Sequence, residues 1–125
     1  MNKELNVLKT PLLSCCYKPM TGYFRDGFCN TTAEDSGTHI ICAVMTSEFL
    51  EYTKSKGNDL STPIPYWNFP GLNPGDKWCL CISRWLQAKD ADKAPPIILE
   101  SCHKKTLEYI DLEVLLNYQF KEEKS

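Results

Sequence analysis

Residues 75–85 read GDKWCLCISRW and place Cys79 and Cys81 two apart in an apolar run, with Trp78 before them and Trp85 after. If the run is a strand, residues i and i+2 share a face, so the two sulfurs lie side by side while Trp78, Leu80 and Ile82 point the other way. A disulfide between them fits poorly, because their α-carbons would stand about 6.5 Å apart with parallel side chains. A shared metal is easier, since sulfurs about 3.5–4 Å apart can both reach one tetrahedral ion. The bland alternative is packing: a free cysteine is among the most buried residue types and behaves as a small hydrophobe.

A second cysteine pair frames CNTTAEDSGTHIIC, residues 29–42, with Asp35 and His39 inside it. On a regular strand His39 and Cys42 face opposite sides, so they cannot share an ion unless a bulge intervenes. Cys29, at a loop end, can turn either way. Cys29, Cys79 and Cys81 with Cys42 or His103 have the ligand types for zinc or iron, but not paired close spacings. Cys102 and His103 are neighbours, and adjacent strand residues diverge, which makes them a poor thiolate–imidazole pair. Polar candidates complete the set. Arg25 can fork onto an anionic ligand group, or pin its own loop beside Asp26 and Gly27. Asn58 and Asp59 follow a helix end, where an Asx turn competes with a role in orienting a site. Arg25, Asp26, Asp35, His39, Asn58 and Asp59 are therefore the candidate ligand-binding residues.

The elements that must position these groups follow from pattern. Residues 39–44 are β-branched and apolar and read as a strand. Thr46 or Ser47 can cap a helix whose stripe is Met45, Phe49 and Tyr52, widened by Leu50 and Thr53, and Gly57 can end it. Residues 77–82 read as a strand, Ser83 as the cap of a helix to about residue 90, and residues 97–100 as a third strand. Residues 101–110 read either as a turn and return strand, with Leu107 and Tyr109 on one face, or as a short helix pairing Leu107 with Ile110, and the strand is the preferred reading. Asp111 caps a last helix with Leu112, Leu115 and Leu116 inward. Residues 58–76 hold four prolines yet also Tyr66, Trp67, Phe69 and Leu72. That is an ordered loop packed on the domain, not a linker. Residues 1–38 are turn-rich, and a stretch so long without regular structure is functional or tied down. The sum is an α+β fold: a small mixed sheet with helices mostly on one face, in two layers with long ordered loops.

At 125 residues the chain reads as a single domain, with residues 1–10 and 119–125 loosely attached. The net charge of −2, with scattered Lys and Arg, argues against nucleic acid. LLSC, residues 12–15, imitates a lipoprotein cleavage box, but Glu4, Lys9 and Pro11 interrupt what precedes it. No apolar run approaches the ~20 residues of a membrane span. The expectation is a soluble, cytoplasmic protein. Seven cysteines, an odd number, then argue against a disulfide framework.

PMTGYFRDGFC, DSGTHIICAVMTSEFL, KGNDLSTPIP, FPGLNPGDKWCLC and RWLQA…APP, in this order and spacing, resemble a bacterial domain-of-unknown-function family, number 2237. The likeness spans residues 12–116. It implies a small α+β domain and no particular activity. Cys15, Arg25, Asp26, Cys29, Asp35, His39, Cys42, Asn58, Asp59, Cys79, Cys81 and His103 match the family pattern, whereas Cys16 and Cys102 depart from it. Three functions stay open. One is a metal- or thiol-dependent site, holding zinc or iron through Cys29, Cys42, Cys79, Cys81 and a histidine. Another is a small-molecule or protein-binding module with structural cysteines. The third is a domain whose cysteines only pack.

Overall fold

The computed structural model describes residues 4–67 and 69–121, and of Trp67 the backbone only. The fold is α+β. Strands β1 (His39–Val44) and β2 (Lys77–Cys81) form an antiparallel pair at its centre. The helices are α1 (Ser47–Ser55), α2 (Ile82–Asp90) and α3 (Leu112–Leu116), of which α2 packs on both strands. No helix among the described residues is long and apolar enough to cross a membrane.

Local chemistry accounts for α1. The Thr46 side chain accepts from Phe49 N at 3.0 Å, satisfying one of the unpaired donors of the first turn. Phe49, Leu50 and Thr53 are buried on its inner face, and Gly57 follows the end at φ 89°. Helix α2 differs from expectation at its start. Cys81, not Ser83, stands at the cap, without a side-chain cap bond, and the Ser83 hydroxyl lies 3.0 Å from the Cys81 sulfur. The stripe of α2 buries Ile82, Trp85 and Ala88 against both strands and α1. Trp85 is wholly buried, donates from Nε1 to Pro95 O at 3.1 Å, and meets Tyr118 edge-on. Its indole N–H is thus satisfied inside the core, as burial requires.

The C-terminal third departs from the predicted strands. Ile97 alone bridges to Ala43, antiparallel, and to Gln119, parallel, so the sheet is widened by single bridges of both kinds. Pro95 and Pro96 have no N–H to extend a ladder, and the chain turns at once into a 3₁₀ segment, Leu99–Ser101. Over residues 101–110 the helical alternative holds and the preferred return strand does not: the chain forms a 3₁₀ helix, Lys104–Glu108, capped by the His103 side chain. Thr106 and Ile110 are buried there, while Tyr109, which the strand reading put on one face with Leu107, is exposed. In α3 Leu115 is fully buried and Leu116 about half exposed, so the inward stripe is narrower than the spacing suggested. The first described residues are integrated, too: Asn6 is fully buried and its amide reaches Thr10, Pro11 and Glu100.

The expectation against disulfides is overturned. Cys15 is bonded to Cys42, and Cys29 to Cys79, with α-carbons 5.6 and 5.2 Å apart. Cysteine parity misled because pairing is set by topology. Cys42 and Cys79 are cross-strand partners in the β1–β2 ladder, and each receives a cysteine from the irregular segment before β1. These bonds tie down that long segment. Cys16, Cys81 and Cys102 remain free.

Candidate functional site

The β1–β2 register slips between His39 and Ile41: His39 pairs with Cys81, but Ile41 pairs with Leu80 and Cys42 with Cys79. Residues directly opposite in an antiparallel pair share a face. The bulge therefore turns His39 to the side that carries Cys42 and Cys79, which a regular strand would forbid. Asp35 fixes the ring there. Its Oδ1 lies 2.7 Å from His39 Nδ1, and its Oδ2 accepts from His39 N at 2.9 Å and from the Thr31 hydroxyl at 3.0 Å. With Nδ1–H given to the carboxylate, Nε2 is the nitrogen left for a ligand. The Asp35 side chain is 1 % exposed and that of His39 38 %. The carboxylate is thus the hidden member of the pair and the imidazole the accessible one.

Burial works to raise the Asp35 pKa and is the largest single influence. The bonds from His39 N and Nδ1, the charge of His39 and the Thr31 hydroxyl together outweigh it, and the pKa falls below 3.8. A carboxyl with a depressed folded pKa stabilises above its unfolded value, and that contribution is lost as pH falls through the folded one. Acid unfolding followed by circular dichroism should therefore show Asp35→Asn losing less stability than wild type between pH 5 and the acid end of the transition.

His39 forms one wall of a cleft of about 340 Å³, with Arg25, Asn58 and Asp59 among its polar lining and Leu60, Ile64, Phe69 and Trp78 among its apolar lining. Cys79 also lines it, so the cleft adjoins the Cys29–Cys79 bond. Arg25 sits on the loop between Cys15 and Cys29 at φ 54°, its Nη1 donating to Gly22 O at 2.7 Å. Its guanidinium carbon lies 5.1 Å from the Trp78 ring centroid, in cation–π range. Gly22, at φ 99°, has no room for a side chain, because an added Cβ would collide with Phe28 O. The Thr21 hydroxyl accepts from Cys79 N at 2.8 Å, which fastens the loop to β2. Asn58 donates to Thr53 Oγ1 at 2.9 Å. Asp59 accepts from Thr62 and Ser61, and the Thr62 hydroxyl above all holds its carboxyl down at about 2.

Four of the six candidate ligand-binding residues, Arg25, His39, Asn58 and Asp59, thus line one cleft. Asp35 stands behind His39, and Asp26 accepts from Phe28 N within its own loop. The candidate metal set is divided. Cys29 and Cys79 are joined, and Cys42 is bonded to Cys15. Cys81 contacts Ser83 at the end of β2. His103 is engaged by Glu4 at 2.9 Å and by Lys105 N at 3.0 Å. Cys15 replaces Cys81 and His103: its sulfur and those of Cys29 and Cys79 all lie within 4.8 Å of one another. Its match to the family pattern was the available signal. Cys102 is fully buried, and that burial pushes its thiol up to about 12, which makes it unreactive.

The model of a family described as an uncharacterized protein conserved in bacteria matches residues 5–119. No curated protein matches the chain.

Proposed function

The chain belongs to the DUF2237 family, whose description carries no activity, and we propose from the geometry of the chain that its cleft binds a small polar molecule through a His39–Asp35 pair. The observation that carries this reading is the buried carboxylate locked to Nδ1 of a cleft-lining imidazole. That arrangement sets the tautomer and leaves Nε2 to take or give a proton at the ligand. Arg25, held over Trp78, suits an anionic group on the same ligand, and the apolar wall suits its carbon frame. A volume of about 340 Å³ lies in the range of small-molecule sites. The cysteines are structural in this reading, anchoring to the two strands the segment that carries Arg25 and Asp35.

The test is a ¹⁵N NMR titration of the full chain with inorganic phosphate and a panel of small carboxylates. A binding probe should move the His39 ring and Trp78 indole resonances. Arg25→Ala and His39→Gln should each weaken it about tenfold or more, the effect of losing one charge-assisted hydrogen bond. Shifts confined to other surfaces, or affinity indifferent to both substitutions, would overturn the reading.

A further inference from the structure

Beside the cleft lies a feature to which the ligand reading gives only an anchoring role. The sulfurs of Cys15, Cys29 and Cys79 fall within 4.8 Å of one another, and the Cys42 sulfur is bonded to that of Cys15. The Cys29–Cys79 bond thus meets the Cys15 end of the other disulfide, with the Cys42 sulfur one bond further on. We infer that Cys15, Cys29, Cys42 and Cys79 form, when both bonds are reduced, a closed tetrathiolate site for a thiophilic divalent ion of the zinc class.

Three of the four sulfurs already stand near site spacing. A tetrahedral zinc site has Zn–S distances of about 2.3 Å, which puts its sulfurs roughly 3.8 Å apart. Among Cys15, Cys29 and Cys79 the unbonded sulfurs are within about an ångström of that edge, and the Cys42 sulfur, bonded to that of Cys15, swings in by side-chain rotation once the bond is cut. Cys42 and Cys79 stand on paired strands and give the site a rigid side. Cys15 and Cys29 come from irregular backbone that can adjust. All four residues are buried, at 6 % exposure or less. Four thiolates select zinc-like or ferrous ions over magnesium or calcium, and leave no open position for catalysis.

The chemistry balances with a dithiol as reductant. Two protein disulfides and two dithiol molecules exchange to give four cysteine thiols and two cyclic disulfides. The four thiols then bind one divalent ion and release four protons. The reducing cytosol favours the metal-binding form, and an oxidising compartment the disulfide form. Of its ligands only Cys79 lines the cleft, and the cleft reading assigns that sulfur no contact with the bound molecule, so the two can fail separately.

The experiment titrates the anaerobically reduced full chain with Co²⁺ and then Zn²⁺. One Co²⁺ per chain should give the visible absorption of tetrahedral thiolate cobalt, and Zn²⁺ should bleach it. The oxidised chain should give no such absorption. Cys15→Ser and Cys29→Ser should weaken binding by more than the roughly tenfold cost of losing an outer-shell partner, whereas Cys81→Ser and Cys102→Ser should not change it. Should a variant fail to fold, reduced wild type decides by circular dichroism with and without Zn²⁺. A metal-dependent gain of structure or thermal stability supports the site, and indifference to the metal overturns it. Absence of the thiolate absorption in reduced wild type, or its loss in Cys81→Ser, overturns it as well.

Discussion

Replacing Cys29 and Cys79 together with alanine should lower the unfolding free energy of the metal-free protein by about 4 kcal/mol, the chain-entropy value for a separation of 50 residues. The bond restricts the unfolded chain more than it adds contacts to the folded one. The same reasoning gives about 3.5 kcal/mol for Cys15–Cys42, whose separation is 27. The two are not additive, because each closes a loop inside a chain the other has already constrained. For a domain of this size the loss corresponds to a drop of roughly 15 °C in Tm. Urea denaturation with a chelator present measures it directly. A change below about 1 kcal/mol would mean that the native chain does not draw its stability from this bond.

Asp35→Ala is the second large effect, expected at about 3 kcal/mol. The substitution strips partners from three groups at once: His39 N, His39 Nδ1 and the Thr31 hydroxyl. A lost bond to a charged acceptor costs more than a neutral one, and a buried donor left unmatched adds its desolvation penalty. Asp35→Asn keeps an oxygen for the backbone donor and should lose less. Both should release the imidazole from its fixed tautomer, visible as a change in the His39 ¹⁵N shifts. Stability within about 0.5 kcal/mol of wild type in Asp35→Ala would contradict the buried pairing.

What could be read before folding depended on how local each signal was. Helix α1 was legible because a cap, an inward stripe and a terminal glycine agree within a dozen residues. Both strands were legible from their apolar runs. The stretch after Pro95 was not, since Ile97 takes strand geometry for a single residue and 3₁₀ turns leave no period to detect. The cleft-lining residues Arg25, His39, Asn58 and Asp59 stood out as polar groups beside turns, and their shared cleft depends on tertiary approach. The bulge at His39 was foreseen only as a condition, because slippage of register belongs to two strands and neither sequence records it. The disulfides were misread for a similar reason. Cys15 and Cys29 meet Cys42 and Cys79 through the path of an irregular segment, and nothing in residue counts encodes that path.

The order of the joined cysteines, 15 to 42 and 29 to 79, makes the two covalent rings overlap along the chain. Any single proteolytic nick between residues 15 and 79 therefore leaves the pieces as one molecule, and a nick between residues 29 and 42 must be matched by rupture of both crosslinks before anything departs. The exposed loops around the cleft can thus be clipped without shedding the residues that line it.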